Sequence, residues 1–569
     1  MKNYLTYFVY LVMLISCQVK INQDPSNANE DPQNQFDEIY EGLEFEMPRV
    51  LEPSIPDNSV NITDFGAVSG GIENNTEAFK SAIDALTKDG GGKVIVPRGI
   101  WLTGPITLKS NINLHLEEGS LILFSRDFDE YPLVETSFEG LNTVRCQSPI
   151  NGRDLENVAI TGKGIIDGSG DAWRMVKRSK LTTQQWKDLV ASGGVLSDDG
   201  DTWYPTEKSK KGSVTTGNFN VPKGYSTMEE FEEIKDYLRP VMVSLINCNK
   251  VLLDGLIFQN SPAWNIHPLM CENVILRNLT VRNPWYSQNG DGLDLESCKN
   301  SIIYNCQFDV GDDAICIKSG KDEDGRERGI PTENLIIKNN IVYHGHGGVV
   351  VGSEMSGGVK NVHVSECMFI GTDVGLRFKS TRGRGGIVEN IYISNIDMID
   401  IPTDAIRFNM YYSGNSPVVE PEQEEVDVEA LMAQMPDVTE ETPQFRNIFM
   451  KDIVCRGAGR AVYLQGLPEM NLENVTIENA TLIADKGLEC FDAKDIVLKN
   501  VYFESDSEPL MLFLNGKNVQ IEGLTVNENK STDVTISGPF TDNIQFTDSE
   551  INKENVTIAN SVKEEVIFN

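Results

Sequence analysis

The sequence predicts an all-β protein: a right-handed, single-stranded parallel β-helix (a solenoid) with a short helix capping its N-terminal end. Three observations predict it. Asn249, Asn273, Asn300, Asn334, Asn361 and Asn390 each precede a short β-rich run, at steps of 24, 27, 34, 27 and 29 residues. Solenoid coils run roughly 20–30 residues, and Asn suits their corners because it tolerates left-handed backbone and bonds neighbouring main chain. Second, 569 residues exceed the usual reach of one core, whereas a solenoid lengthens without needing another. Third, the Asn-Gly and Asp-Gly pairs that favour two-residue hairpins fall mainly in one stretch instead of between successive strands. That argues against the runner-up, an antiparallel sandwich.

Taken in order, the chain opens with Lys2 and an apolar run through Ile15. Residues 1–16 read as a secretory signal, too short to span a bilayer. Leu14-Ile15-Ser16-Cys17 resembles a bacterial lipobox. The resemblance implies cleavage before Cys17, lipid attachment there, membrane contact through that anchor only, and export to the cell envelope. Residues 17–57 are polar and rich in Pro, Asn and Glu, and read as a flexible tether. Residues 58–569 read as the β-helix. Near its start, Phe79, Ala82, Ile83 and Leu86 follow Thr76 at helical spacing. A helix here would shield the first open coil from edge pairing. Gly-Gly-Gly-Lys-Val-Ile-Val then reads as a strand between glycine turns. Asn157, Asn447, Asn474, Asn518 and Asn543 extend the Asn series on both sides.

Two insertions interrupt it. Residues 173–238 are polar, with helical segments predicted at Thr183–Ala191 and Thr227–Tyr237; they are expected to close one end of a groove. Trp186, Trp203, Tyr204 and Tyr225 in this insertion suit either sugar stacking or local packing. Residues 413–444 are acidic and Pro-rich and read as a solvated loop.

A net charge of -36 excludes nucleic acid as a partner. Of ten cysteines, nine follow Cys17 in strand-like runs with no Cys-x-x-Cys pair. This points to buried thiols and to no metal site or cofactor.

The chemistry centres on the stretch from Asn289 to Ser319. A step of 21 residues leads from Asp291 to Asp312, one coil, which sets both on neighbouring strands about 4.8 Å apart. Asp313 follows directly. Adjacent strand residues face opposite sides, so Asp312 and Asp313 share a face only if the chain bends, and Gly311 permits a bend. Clustered carboxylates suit acid/base work, because crowding keeps one of them protonated. His346 sits between Gly345 and Gly347, and His344 is expected on its face. Arg377 and Lys379 stand two apart and so share a strand face, a pairing that suits a sugar carboxylate.

The motifs Asn289-Gly-Asp291, Gly311-Asp312-Asp313, Gly345-His346-Gly347 and Arg377-Phe378-Lys379 occur in this order at coil-like intervals. Together they resemble the pectin-cleaving glycoside hydrolases of family twenty-eight, the polygalacturonases. The stretch from Asp64-Phe-Gly-Ala to Gly90-Gly-Gly-Lys-Val-Ile-Val-Pro-Arg-Gly is similar to that superfamily as well. Trp264–Pro268 and the residues after Lys318 look most like its exo-acting bacterial members. The resemblance implies inverting hydrolysis of α-1,4 galacturonic acid linkages in homogalacturonan or its oligomers. It makes Asp312 the general acid, with Asp291 and Asp313 holding and deprotonating the water. His346 becomes an active-site residue. Asn289, Arg377, Lys379, His267 and one of Tyr411 and Tyr412 become substrate contacts, and the protein is expected to be monomeric. The alternatives are a hydrolase of rhamnogalacturonan or xylogalacturonan, a calcium-dependent pectate lyase, and a non-catalytic glycan-binding lipoprotein.

Overall fold

The computed structural model describes residues 34–216, 220–412, 428–562 and 566–568. The signal, Cys17 and residues 413–427 of the acidic insertion lie outside them. Residues up to Leu43 form a unit of their own, of which Asn34–Tyr40 is a 3-10 turn, and Glu44–Asn569 form the second unit.

In the second unit, 35 strands join a single sheet that winds upon itself. Every pairing within the coils is parallel, as in Val243↔Ile266, Leu293↔Ile315, Val349↔Leu376 and Ile406↔Val462. This is the right-handed parallel β-helix, and it rules out the antiparallel sandwich. Among the described residues, antiparallel pairs occur only in two appendages: the hairpin Leu133–Phe138/Leu141–Cys146 and a small sheet at 176–204.

The inward side chains stack by type from coil to coil and form one continuous apolar core. Asn273, Asn300, Asn334, Asn361, Asn390, Asn447 and Asn474 all have left-handed backbone. Their amides bond along the axis: Asn334 donates to Asn300 at 3.0 Å, Asn361 to Asn334 at 3.1 Å and Asn474 to Asn447 at 2.8 Å. Asn249 departs from this pattern, since its neighbour Lys250 takes the left-handed position. A second ladder runs through Asn278, Asn305 and Asn339. All nine cysteines after Cys17 are buried free thiols, and Cys248, Cys271 and Cys298 stack on successive coils.

The helix Thr76–Lys88 buries Phe79, Ala82, Ile83 and Leu86 over the first coil. It begins at Thr76, with Asn75 as its cap residue. The tether ends earlier than expected. From Glu44 onward the chain is strapped along the outer face of the coils. Leu51 N–H donates to Asn273 and Ser54 N–H to Asn157, both at 3.1 Å, and Val50 and Ile55 cover Ala159, Leu252 and Ile275. A polar segment can dock this way because the Asn ladder offers it hydrogen-bond partners all along its length.

In the long insertion, Thr183–Ala191 is a helix, Glu207–Thr215 is another, and the second expected helix is split into Met228–Glu232 and a 3-10 turn, Lys235–Tyr237. Its aromatics serve packing: Trp186 and Trp203 are buried together, and Tyr225 stacks on Phe231. Among the described residues no helix is long and apolar enough to cross a membrane.

Candidate active site

On one flank of the helix, parallel strands beginning at Ile150, Val243, Ile266, Leu293, Asp313, Gly347 and Val374 lie side by side. Period-two alternation turns Ser244, His267, Asp294, Cys316, Val350 and Arg377 outward in a row, with Glu296, Lys318 and Lys379 two residues further on. Asp291 sits on the turn entering the fourth strand. One carboxylate oxygen from each of Asp291, Asp312 and Asp313 lies within 4.8 Å of the other two. Both members of the Asp312–Asp313 pair therefore reach the same groove.

The bend that permits this depends on Gly311 for space. Gly311 does not have left-handed backbone, but a Cβ there would meet the Pro284 carbonyl at 2.4 Å. At Gly345 a Cβ would press on the Asp312 carbonyl at 2.9 Å, and at Gly347 on the Val350 side chain at 2.4 Å. The glycines around His346 thus let its coil close onto the acids.

The three carboxylates have unlike surroundings. Asp313 is 2% exposed and accepts from Lys379 Nζ at 2.6 Å and an Arg377 Nη at 3.2 Å. Burial pushes its carboxyl up, but the two cations outweigh that and hold it at about 2. Burial, with Asp294 and Asp312 close by, pushes Asp291 well above the usual range. Asp312 is the open member, 23% exposed, with His346 Nδ1 3.2 Å away. That contact raises the His346 imidazole, whose Nε2 stands 3.8 Å from Asp373.

The structure also distinguishes the other expected site residues. The backbone of Asn289 is left-handed and its Oδ1 accepts from Arg239 at 3.0 Å, so it braces the turn that carries Asp291. Tyr412 lies beside the cations, its ring centroid 5.1 Å from Lys379 Nζ and 5.8 Å from the Arg377 guanidinium. Tyr411 belongs to the core cluster. Of the pair, Tyr412 is the groove residue.

His267 is corrected. It is 1% exposed, with Nε2 2.9 Å from Glu296 and its ring edge-on to Trp264. It supports the floor of the groove, with its ring closed off from the surface. The row position was right, but Glu296 and Trp264 cover the ring. His344 is also displaced: it is exposed and bonds Asp309 at 2.9 Å, outside the groove.

Asp294, Glu354 and Arg239 were not singled out by the sequence, whereas Lys318 reads as one of the cations that accompany Arg377 and Lys379. Asp294 lies beside Lys318 at 3.2 Å, and burial raises its carboxyl to about 7. Lys318 also pairs with Glu354 at 3.1 Å and sits 4.0 Å from the Trp264 ring centroid. Arg384, which reads as surface charge, is buried and bonds Ser353 and Asp322. The alternation Cys316, Lys318 was a usable signal for Lys318. Nothing local marks Arg239, which donates to the carbonyls of Pro262 and Gln288 at 3.0 and 2.9 Å. Oxygens of Asp291, Asp312 and Asp313, or of Asp291 and Asp294 with Cys316 Sγ, are close enough to hold a cation. Lys379, Arg377 and Lys318 already supply the counter-charge in both places.

A groove on a parallel β-helix, floored by clustered carboxylates of unlike protonation, has the architecture of an enzyme that hydrolyses glycosidic bonds. The comparisons agree. The profile of the family described as Glycosyl hydrolases family 28 matches residues 175–458. An exopolygalacturonase structure from Thermotoga maritima is 32% identical, with a TM-score of 0.63 over 84% of this chain and 94% of that one. A second, from Yersinia enterocolitica, shares the fold at 22% identity and a TM-score of 0.60, covering 84% and 79%. The exo-poly-alpha-D-galacturonosidase of Dickeya chrysanthemi is 27% identical over 82% of this chain and 75% of its own length. The chain belongs to glycosyl hydrolase family 28 and is a glycoside hydrolase.

Proposed function

We propose that this protein hydrolyses α-1,4 galacturonic acid linkages in homogalacturonan or its oligomers from a chain end, with inversion. The observation that carries the reading is the pair Arg377 and Lys379, set beside three carboxylates in a chain of net charge -36. Two fixed cations at the reacting groups answer a substrate that bears a carboxylate at the cleavage point. The exo-acting relatives in Dickeya and Thermotoga support the same reading.

The site's electrostatics divide the work. Lys379 and Arg377 keep Asp313 ionised, while burial and like charge keep Asp291 protonated. Asp312 is the most open of the three acids and is the one that passes a proton to the leaving oxygen. A water held by Asp291 and Asp313 attacks the anomeric carbon and yields its proton to Asp313. The carboxylate separation is shorter than the roughly 6.5–9.5 Å of most inverting sites, so one cluster holds both the acid and the nucleophile. The sugar's own carboxylate competes with Asp313 for Lys379 and Arg377. As it binds, it weakens their hold and lets Asp313 rise toward values at which it serves as a base.

Exo action has a structural basis on the N-terminal side of the groove. There Phe138, from the hairpin Leu133–Cys146, packs on Trp264 with ring centroids 4.5 Å apart, and Val221 and Val241 complete the wall. The long insertion braces this hairpin through Phe231, Ile234 and Leu238. The proposal includes residues 1–16 as an export signal and Cys17 as a lipid-bearing anchor in the cell envelope, with the protein a monomer. Loss of metabolic lipid labelling in Cys17→Ala tests the anchor.

The activity is tested by reducing-sugar release from polygalacturonate, its methyl ester, rhamnogalacturonan and xylogalacturonan. Release is expected to be fastest from polygalacturonate and at least tenfold slower from the ester. Equal rates on acid and ester would refute the role of the two cations.

A further inference from the structure

Behind the wall lies a second cavity, of about 280 Å³, between the hairpin Leu133–Cys146 and the strands Ile150–Arg153 and Val243–Ile246. It shares the outward face of the catalytic row, because Ser244, which lines it, pairs in register with His267 on the next coil. Phe138 and Val241 also line it, and both pack on Trp264, the residue that carries Lys318 on its ring. The partition between the two spaces is therefore a single layer of side chains.

The chemistry of the lining is unusual for so acidic a chain. Arg145 and Arg153 both border the cavity. Arg145 is 2% exposed, yet its hydrogen bonds go to the carbonyls of Arg239 and Asn220, at 2.7 and 2.8 Å. Arg153 donates to the Glu135 carbonyl at 3.3 Å. Among the described residues neither guanidinium has a carboxylate within ion-pair distance. A buried cation without a counter-ion is expensive, and burial pulls Arg145 down to about 10. The Ser137 hydroxyl is buried there without a hydrogen-bond partner, although buried polar groups are normally satisfied. The Arg145 guanidinium lies 3.8 Å over the Phe138 ring, and Val241 offers an apolar wall beside these groups. The one acid on the lining, Glu135, is exposed.

We infer that this cavity is a second sugar-acid site, separate from the catalytic groove, which takes a single uronate residue. The carboxylate would meet Arg145 and Arg153, the hydroxyls Ser137 and Ser244, and the apolar ring face Val241. The choice of a galacturonate-type sugar rests on the function proposed above; the demand for an anion with hydroxyls does not.

The test is calorimetric titration of the full chain carrying Asp312→Asn with free galacturonate, and with galactose as its neutral counterpart. Two galacturonate sites per chain are expected, and galactose should bind the cavity at least tenfold more weakly. Adding Arg153→Ala, at an exposed position, should remove one site and leave the other. Ser244→Val should do the same by filling the cavity. Arg153→Ala alone should retain kcat/KM on a galacturonate oligomer within twofold. The absence of any galacturonate site that Arg153→Ala and Ser244→Val remove, whether one site or two are found, would overturn the inference. If the catalytic reading fails instead, no substrate is cleaved while an Arg153-dependent site persists.

Discussion

Lys379→Met removes the shorter of the two contacts that hold Asp313 ionised. In the parent enzyme the carboxyl lies at about 2 although burial pushes it up, a net preference for the charged form of about 2–3 kcal/mol relative to an ordinary carboxylate. That contribution is complete above the unfolded-state value near ~3.9 and is lost as the pH falls toward 2. Without Lys379, burial outweighs the remaining Arg377 and the folded-state value rises above the unfolded one. The sign then reverses, and the variant loses stability as the pH climbs from about 4 through the new value. Breaking a buried pair by removing one partner costs about 3–5 kcal/mol, so the gap between parent and variant should approach that size at pH 7 and shrink toward pH 4. Urea denaturation at pH 4, 5.5 and 7 measures it, and Asp313→Asn combined with Lys379→Met should recover part of the loss. Turnover of the acidic substrate should fall at least tenfold, in keeping with the ~1.5–3 kcal/mol of a hydrogen bond to a charged group. A small loss, independent of pH, would refute the view that Lys379 sets the state of Asp313.

Other outcomes follow from the same geometry. Asp312→Asn should lower kcat by about 10²–10⁴-fold with an unchanged urea midpoint; near-normal turnover would remove Asp312 as the acid. His346→Ala should lower kcat and move the alkaline limb of its pH profile, because the imidazole that Asp312 raises no longer titrates there; an unmoved limb would leave His346 a structural role. Trp264→Ala should open the wall against Phe138 and add longer products to the monomer, as chromatography would show.

The winding of the chain was legible because its signal is local and repeated. Asn273, Asn300, Asn334 and their successors announce each corner with one residue type, chosen for a backbone conformation that few others adopt. The clustering of Asp291, Asp312 and Asp313 with His346 and the Arg377–Lys379 pair was legible for a related reason, since their motifs lie one coil apart and coil length converts spacing into contact. What escaped depends on distant partners. The second Asn ladder at Asn278, Asn305 and Asn339 carries the same chemistry but flanks short strands that do not stand out. Glu44–Asp57 has a tether's composition, and only the assembled ladder shows where it docks. The hairpin Leu133–Cys146 reads as two more strands, yet its antiparallel pairing lifts it off the coils to become the wall. Alternation correctly put His267 on the groove face but could not show that Trp264 and Glu296 cover it. The role of Arg239 lies wholly in contacts made 23 to 50 residues away.

The central claim is that one walled groove hydrolyses an acidic polysaccharide from its end. Sizing the earliest products from a defined galacturonate oligomer, with a chelator present, tests it most directly. The account predicts saturated galacturonic acid monomer and a substrate shortened by one residue, at a rate the chelator leaves unchanged. Unsaturated products, a ladder of internal fragments from the first time point, or activity abolished by chelation would contradict it.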